Sequence, residues 1–401
     1  MKIPFLGAAY QSRSLNFSAQ RCVNMYLEFA ETENADTQVL YGTPGLKLFS
    51  TLTTGNQIRG QYTTAKGRYF AVSGNTLFEA DSVGIPTARG TLNTSSGTVR
   101  MSDNGTQVII VDGFNGYILT LASNVLTQIT DLDFPSSPTH VGFLDQYFIV
   151  NQLNTQQFQI SALSDGTSWS SLDIGTAEAS PDIIQSLLIN NQNIWLFGDR
   201  SIEIYYNSGN ATFPFERIPG GLIEIGTLAK YSPAKLNNNI YWLGKNENGF
   251  GTVYVAVGYQ SKRVSTHPIE KKIGELKVPT DAVGWAYEQE GHQFYILTFL
   301  TDEITFCFDQ TTGQWHERAF LDPDSGQERK HRGLNSTVAF NKVLVGDHSK
   351  PLIYEFDLDT YTDNGDEILR LRSAQNIDSD EKRVRHNRFE IVMETGVGTT
   401  T

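Results

Sequence analysis

One short apolar run recurs along the chain, each time just after a turn: Tyr69-Phe-Ala-Val72, Val108-Ile-Ile-Val111, Tyr147-Phe-Ile-Val150, Ile194-Trp-Leu-Phe197, Ile240-Tyr-Trp-Leu243, Phe294-Tyr-Ile-Leu297 and Val343-Leu-Val345. Successive copies end between 39 and 54 positions apart. Successive side chains of a strand point to opposite faces, so a strand that is apolar at every position must be covered on both sides. Each copy therefore needs a packed neighbour in front and another behind. No copy can fold alone.

The surroundings of each copy repeat as well. A turn precedes it, as at Ala65-Lys66-Gly67, Asp103-Asn104-Gly105, Leu144-Asp145-Gln146, Asn191-Gln192-Asn193, Asn237-Asn238-Asn239, Glu290-Gly291-His292 and Phe340-Asn341-Lys342. Gly and Asn dominate these turns, and both tolerate the positive φ of tight hairpins. A third strand follows, for example Thr76-Leu-Phe78, Tyr117-Ile-Leu119 and Ile202-Glu-Ile204, and a weaker fourth closes many units, as at Leu126 to Ile129, Trp169 to Leu172, Phe215 to Arg217 and Trp315 to Arg318. Four antiparallel strands per unit, at a period near one propeller blade, predict an all-β fold: a β-propeller of about seven four-stranded blades. Six or eight blades, or a β-sandwich with coincidental spacing, are the competing readings. The 11% aromatic share, 35 Gly and only 4 Met agree with short strands joined by tight turns. Because such units bury their faces only against one another, residues 58–372 are expected to form one cooperative ring.

Two segments fall outside that expected ring. Residues 1–57 form an N-terminal segment with a strand at Arg21 to Glu28, a polar acidic loop from Ala30 to Thr37, and Thr43-Pro44-Gly45 as a type II turn signal. Residues 373–401 look like the start of an incomplete C-terminal β domain: Lys382, Arg383, Arg385 and Arg388 sit among Asp378, Asp380 and Glu381, before a strand-like Phe389 to Met393.

Most signatures of catalysis are missing: there is no Gly-x-Ser-x-Gly, no phosphate-binding Gly-x-x-x-x-Gly-Lys, no His-Glu-x-x-His and no Cys-x-x-Cys. Ser164-Asp165-Gly166 resembles the Asp-box turn of sialidase blades, but its spacing departs from Ser-x-Asp-x-Gly, and it reads as a turn before Trp169. The oxygen-rich run of Asp357, Asp359, Asp363, Asn364 and Asp366 lacks the EF-hand order and reads as a solvated loop, as does Asp322 to Gly326. His140, His267, His292, His316, His331, His348 and His386 fall in different units with no metal-ligand spacing, so they read as surface or satisfied core residues. Arg200, Glu203, Glu216 and Arg217 include a possible acid and base pair, yet charges beside apolar strand residues more often mark the wet edge of a blade. The sequence thus assigns no catalytic, cofactor-binding or metal residues, names no interface residues, and predicts no enzyme.

Charge and cysteine usage narrow the setting. A formal charge of -13 argues against wrapping nucleic acid, which needs a concentrated basic face. Cys22 and Cys307 are too few and too distant for a disulfide framework and read as buried thiols. No stretch approaches the ~20 apolar residues of a membrane span. A soluble product is expected.

The run Trp195-Leu-Phe-Gly-Asp-Arg-Ser-Ile-Glu-Ile-Tyr-Tyr206, the following Asn207 to Phe215 and Ile223-Glu-Ile-Gly226, the early Val23 to Glu28 and Thr43 to Leu46, and the later Thr266-His-Pro-Ile-Glu-Lys271 resemble the packaged-DNA stabilisation proteins of short-tailed bacteriophages. The resemblance covers nearly the whole chain, and no catalytic residue travels with it. It implies a structural tail hub, made in the host cytoplasm and located in the virion tail. Such a hub closes the DNA-filled head below the portal and adaptor, docks the tail needle or plug and the tailspikes, and assembles as a hexameric ring that DNA passes without sequence-specific binding. The alternative is a carbohydrate-binding or carbohydrate-cleaving propeller used in host recognition, which would need a rim pocket of carboxylates or aromatic rings. A cellular interaction propeller lacks support, because the Trp-Asp endings and paired glycines of the WD and kelch styles are absent.

Overall fold

The computed structural model describes residues 5–11, 18–29, 38–245, 249, 251–374, 385, 387, 388 and 390–393. Seven sheets follow one another around a central axis: blade 1 over residues 58–91, blade 2 over 100–128, blade 3 over 141–176, blade 4 over 184–223, blade 5 over 234–263, blade 6 over 283–317 and blade 7 over 333–357. The recurrent apolar run is the second strand of every blade, as in Tyr69–Ser73, Gln107–Val111 and Asn193–Gly198.

The reason for its uniform apolarity is visible in the packing. Alternate residues of each second strand enter different interfaces: Phe70 and Val72 pack towards blade 2, while Tyr69 and Ala71 pack towards blade 7. In blade 2, Val108 and Ile110 meet blade 1, and Ile109 and Val111 meet blade 3. One apolar cluster fills each boundary, including that between blades 7 and 1. The ring is closed.

The hairpins between first and second strands are built as their residues demand. Asp145 and Gln146, Asn191 and Gln192, Glu290 and Gly291, and Phe340 and Asn341 all have positive φ, the backbone of a two-residue turn that matches strand twist. Phe340 is the costly member, a bulky residue at φ +53°. Its ring packs on Phe49 and Tyr69 at centroid distances of 6.2 and 6.4 Å, which holds it there.

The expectation that residues 1–57 lie outside the ring is corrected. Blade 7 takes only three strands from residues 333–357, and its fourth is Gly45–Thr51, antiparallel to Leu352–Asp357. The N-terminal part thus clasps the last blade and closes the circle by hydrogen bonding as well as packing. A ring whose first and last blades shared no strand would rely on side chains alone. Further out, Cys22–Val23 adds to the outer edge of blade 6 and pairs with Leu371–Arg372, while Thr362–Asp363 adds to the edge of blade 7. The type II turn expected at Thr43-Pro44-Gly45 does not form either. Gly45 lacks the positive φ that turn requires and instead begins the clasp strand. Its missing Cβ matters for another reason: a Cβ there would stand 2.1 Å from the Thr360 carbonyl oxygen.

Cys22 and Cys307 are both buried and unpaired, as expected. No helix among the described residues is long and apolar enough to cross a membrane. The acidic loop from Ala30 to Thr37, His386, Phe389 and most of the charged run after Ser373 lie outside the described residues. Glu390 to Met393 carry no strand.

Candidate functional site

The most elaborate polar surface lies where the N-terminal strap crosses blade 6. The strap brings Arg21, which donates to Glu317 of the blade edge at 2.6 Å and to Glu328 of the hairpin that joins Ala319–Leu321 to Glu328–Lys330 at 2.5 Å. Lys272, from the helix His267–Gly274, reaches the other oxygen of Glu317 at 2.7 Å. Burial works against the Glu317 charge, yet the two cations more than offset it and hold the carboxyl below its usual range. Asn24 fixes the strap's path: its side-chain amide donates to the carbonyls of Ala319 and Leu369 and accepts from the Ala319 N–H.

One turn further along the strap, Glu28 meets His292. The His292 ring is enclosed between two carboxylates, with Nδ1 at 2.8 Å from Asp309 and Nε2 at 2.5 Å from Glu28. Burial opposes protonation, but the hydrogen bonds and charges of Asp309 and Glu28 prevail and raise the imidazole to about 9. Both ring nitrogens are committed, so this His cannot serve a nucleophile as a base. It staples the strap to the blade.

The residues singled out for chemistry are spread over several blades and mostly engaged in structure. Asp165 accepts from the Thr167 N–H and hydroxyl, and Trp169 Nε1 donates to the Gly166 carbonyl, so the Asp-box-like segment is a turn that seats Trp169. Asp322 organises its own turn through Asp324 and Ser325. In the oxygen-rich run, Asp357 pairs with Lys47 and Asp366 with Arg332. Asp363 is buried, and desolvation lifts its carboxyl to about 7 against the pull of nearby arginines. The run is therefore braced against the ring and is more than the solvated loop expected. His292 and His316 fall in one blade, contrary to the reading that the histidines occupy different units. His316 accepts from Arg318 Nε at 3.1 Å. No group of three or more His, Cys, Asp or Glu among the described residues is placed to hold a metal ion.

In blade 4, Glu203 is not on a wet edge. It is 2% exposed, accepts the Ala179 N–H at 2.9 Å and the Tyr205 hydroxyl at 3.3 Å, and lies 3.8 Å from Arg217. Burial dominates and raises its carboxyl. With Glu216, Tyr205, Phe213 and Phe215 it lines an open cavity of about 590 Å³ on the blade's outer part, and Arg200 is not among the lining residues. The feature the sequence could not assemble, carboxylates beside rings, does exist. Its most buried carboxylate, however, is already saturated by backbone, phenol and guanidinium, and the Tyr205 and Phe215 rings are buried rather than presented.

A family whose description reads "Bacteriophage P22 Gp10, beta-propeller", a phage-stabilisation family, matches residues 1–361. No curated protein matches the chain. Among solved structures, the extracellular domain of a putative one-component system from B. thetaiotaomicron is 11% identical, with a TM-score of 0.53 over 78% of this chain and 40% of that one. This chain thus spans two fifths of that protein's length. The WD40 beta-propeller domain of Doa1 is 10% identical over 78% of this chain and 97% of its own, with a TM-score of 0.49. The first likeness concerns the fold alone.

Proposed function

The chain belongs to the phage-stabilisation family described as the Bacteriophage P22 Gp10 beta-propeller, and from that membership we propose that it is a structural, non-catalytic hub of the virion tail. In this reading it closes the DNA-filled head below the portal and adaptor and docks the needle or plug and the tailspikes. It works as a homo-oligomeric ring, hexameric by the same reading, which DNA passes without being read in sequence. The observation that carries the proposal is that the family match takes in the strap, the clasp strand and all seven blades together. A closed ring with a stapled strap suits a part that must hold its shape under load, and repeated modest contacts on a symmetric assembly add avidity without a deep pocket.

The loops offer material for docking on both ends of the wheel. Phe114 and Leu132 are 71% and 100% exposed on the end that carries the connections between blades, and Val83 and Ile85 are 72% and 62% exposed on the other. The test is made on particles: virions assembled without this chain should release their DNA, and the purified chain should co-sediment with portal and adaptor as a ring of multiplied 44.7 kDa mass. Particles that keep their genome without it would end the proposal. A glycan array and a turnover assay on host polysaccharide address the carbohydrate alternative, whose one favouring observation is the cavity beside Glu203 and Glu216.

A further inference from the structure

Residues on or beside the innermost strands of six of the seven blades, all but blade 3, line an axial cavity of about 240 Å³. Its lining includes Arg59, Arg100 and Lys235 and no Asp or Glu, in a chain whose formal charge is -13. Arg59 is satisfied: its guanidinium donates to the carbonyls of Gly74, Thr94, Ser96 and Gly97. Arg100 is not. Among the described residues it has no hydrogen bond from its side chain and no carboxylate in ion-pair range, and its Nε is buried without a partner. Its guanidinium instead lies over an aromatic face, that of Tyr231, whose ring centroid is 5.7 Å from Arg100 Cζ.

Tyr231 gathers two more groups beside Arg100, outside the cavity lining. Lys230 Nζ lies 4.9 Å from the same ring centroid, and the His140 ring lies tilted against it with centroids 5.2 Å apart. His140 is 3% exposed, and its Nε2 is also without a partner. Burial first, then the charges of Arg100 and Lys230, press this imidazole well below its ordinary value, so it is neutral and free to hold its proton on either nitrogen. Arg100 is only half-buried, and its guanidinium keeps its charge under any ordinary condition, so the end that reaches the cavity needs water or a bound anion as its partner. Walls of low dielectric around an uncompensated set of cations focus the field onto the axis. At ~30 Å³ per water, the cavity has room for about eight waters, or for one small oxyanion with part of its hydration shell. It has no room for a duplex.

We propose that the axial channel binds one tetrahedral oxyanion of the phosphate class, held by Arg100 and Lys235 of its lining. The chemistry could be supplied by free phosphate or by the terminal phosphate of a strand end. The acidic exterior would repel either one, which makes the axis the place where phosphate can settle.

Titration calorimetry of the full chain with inorganic phosphate, at ionic strength held constant with chloride, tests the site. One ion should bind per chain, and the melting temperature should rise with phosphate beyond any rise with chloride. Arg100→Gln should weaken binding at least tenfold and Lys235→Gln by a smaller factor. Because the Arg100 side chain makes no hydrogen bond or ion pair among the described residues, Arg100→Gln should melt in chloride at the wild-type temperature or above, whereas an arginine that braced the fold would lower it. A 5′-phosphorylated and an unphosphorylated oligonucleotide, titrated in parallel, separate the two sources: free phosphate binding alone assigns the site to the ion, and additional binding of the phosphorylated strand only assigns it to strand ends. No phosphate-specific heat or melting shift in the wild type, equal binding by Arg100→Gln, or a lowered chloride melting temperature for that variant would each overturn the site. The tail-hub reading stands or falls separately, on the particles.

Discussion

His292 joins two carboxylates, Glu28 and Asp309, that lie far apart in the sequence, and it does so inside the fold. Its folded value of about 9 stands above the ordinary 6.5, so its contribution to stability is present in full below about pH 6.5 and is lost as pH rises towards 9. The shift corresponds to about 3 kcal/mol at most. Denaturant melts between pH 6 and 9.5 should therefore decline for the wild type, and His292→Gln should be weaker at pH 6 and flat across that window. Glu203 gives a second residue-scale test. Glu203→Ala strips the Ala179 N–H of its acceptor, while the Tyr205 hydroxyl keeps the Thr176 carbonyl, and should cost about 1–3 kcal/mol in a denaturant melt. If Glu203 were a catalytic carboxylate its removal would instead leave stability unchanged or improved. Neither role could be read from the sequence, where His292 is one histidine in a turn and Glu203 one charge in an apolar run. Nothing local marks a group whose partners come from another blade or from the strap. Arg100 is harder still, because what distinguishes it is the lack of a hydrogen-bond or ion-pair partner for its side chain among the described residues.

At the scale of strands, the sequence is far more informative. The second strands stood out because each residue of them enters one of two interfaces, so no position is released to become polar. The clasp strand Gly45–Thr51 stayed hidden because its pattern is mixed, with Lys47 and Leu48 exposed, and because its partner lies some 300 residues away. Inner strands carry a further signal, glycine near their start. Around a hub the strands converge, and a Cβ on Gly60 would stand 2.2 Å from the Val99 carbonyl oxygen, one on Gly284 2.0 Å from that of Ser232. Both obstacles are backbone of the connection to the neighbouring blade and cannot rotate away. Gly284→Ala should cost about 2–3 kcal/mol by overpacking, visible as a lower denaturant midpoint with an unchanged slope.

The whole molecule differs from an open array of repeats in having no end from which to fray. In an open array, damage to a terminal unit spreads to one neighbour. Here the terminal unit is completed by Gly45–Thr51, so blade 7 stands between blades 6 and 1, and Leu46, fully buried with Tyr26, Trp285, Tyr354 and Phe356, touches the strap, blade 6 and blade 7 together. Asn335 Nδ2 of blade 7 also donates to the Ile58 carbonyl of blade 1, and Gln61 Nε2 of blade 1 returns the bond to the Asn335 and Leu344 carbonyls. Leu46→Asp places a charge in this core and should cost about 4 kcal/mol or more. The measurement that bears on the ring is hydrogen exchange rather than the melt. If closure makes the wheel one cooperative unit, amides of Ile58–Thr63 in blade 1 and of Val283–Gln289 in blade 6 lose protection together with those of Leu352–Asp357. If only the Leu352–Asp357 amides open, blade 7 unfolds by itself, and the seven sheets are neighbours that happen to meet, without the rigidity that a hub under load requires.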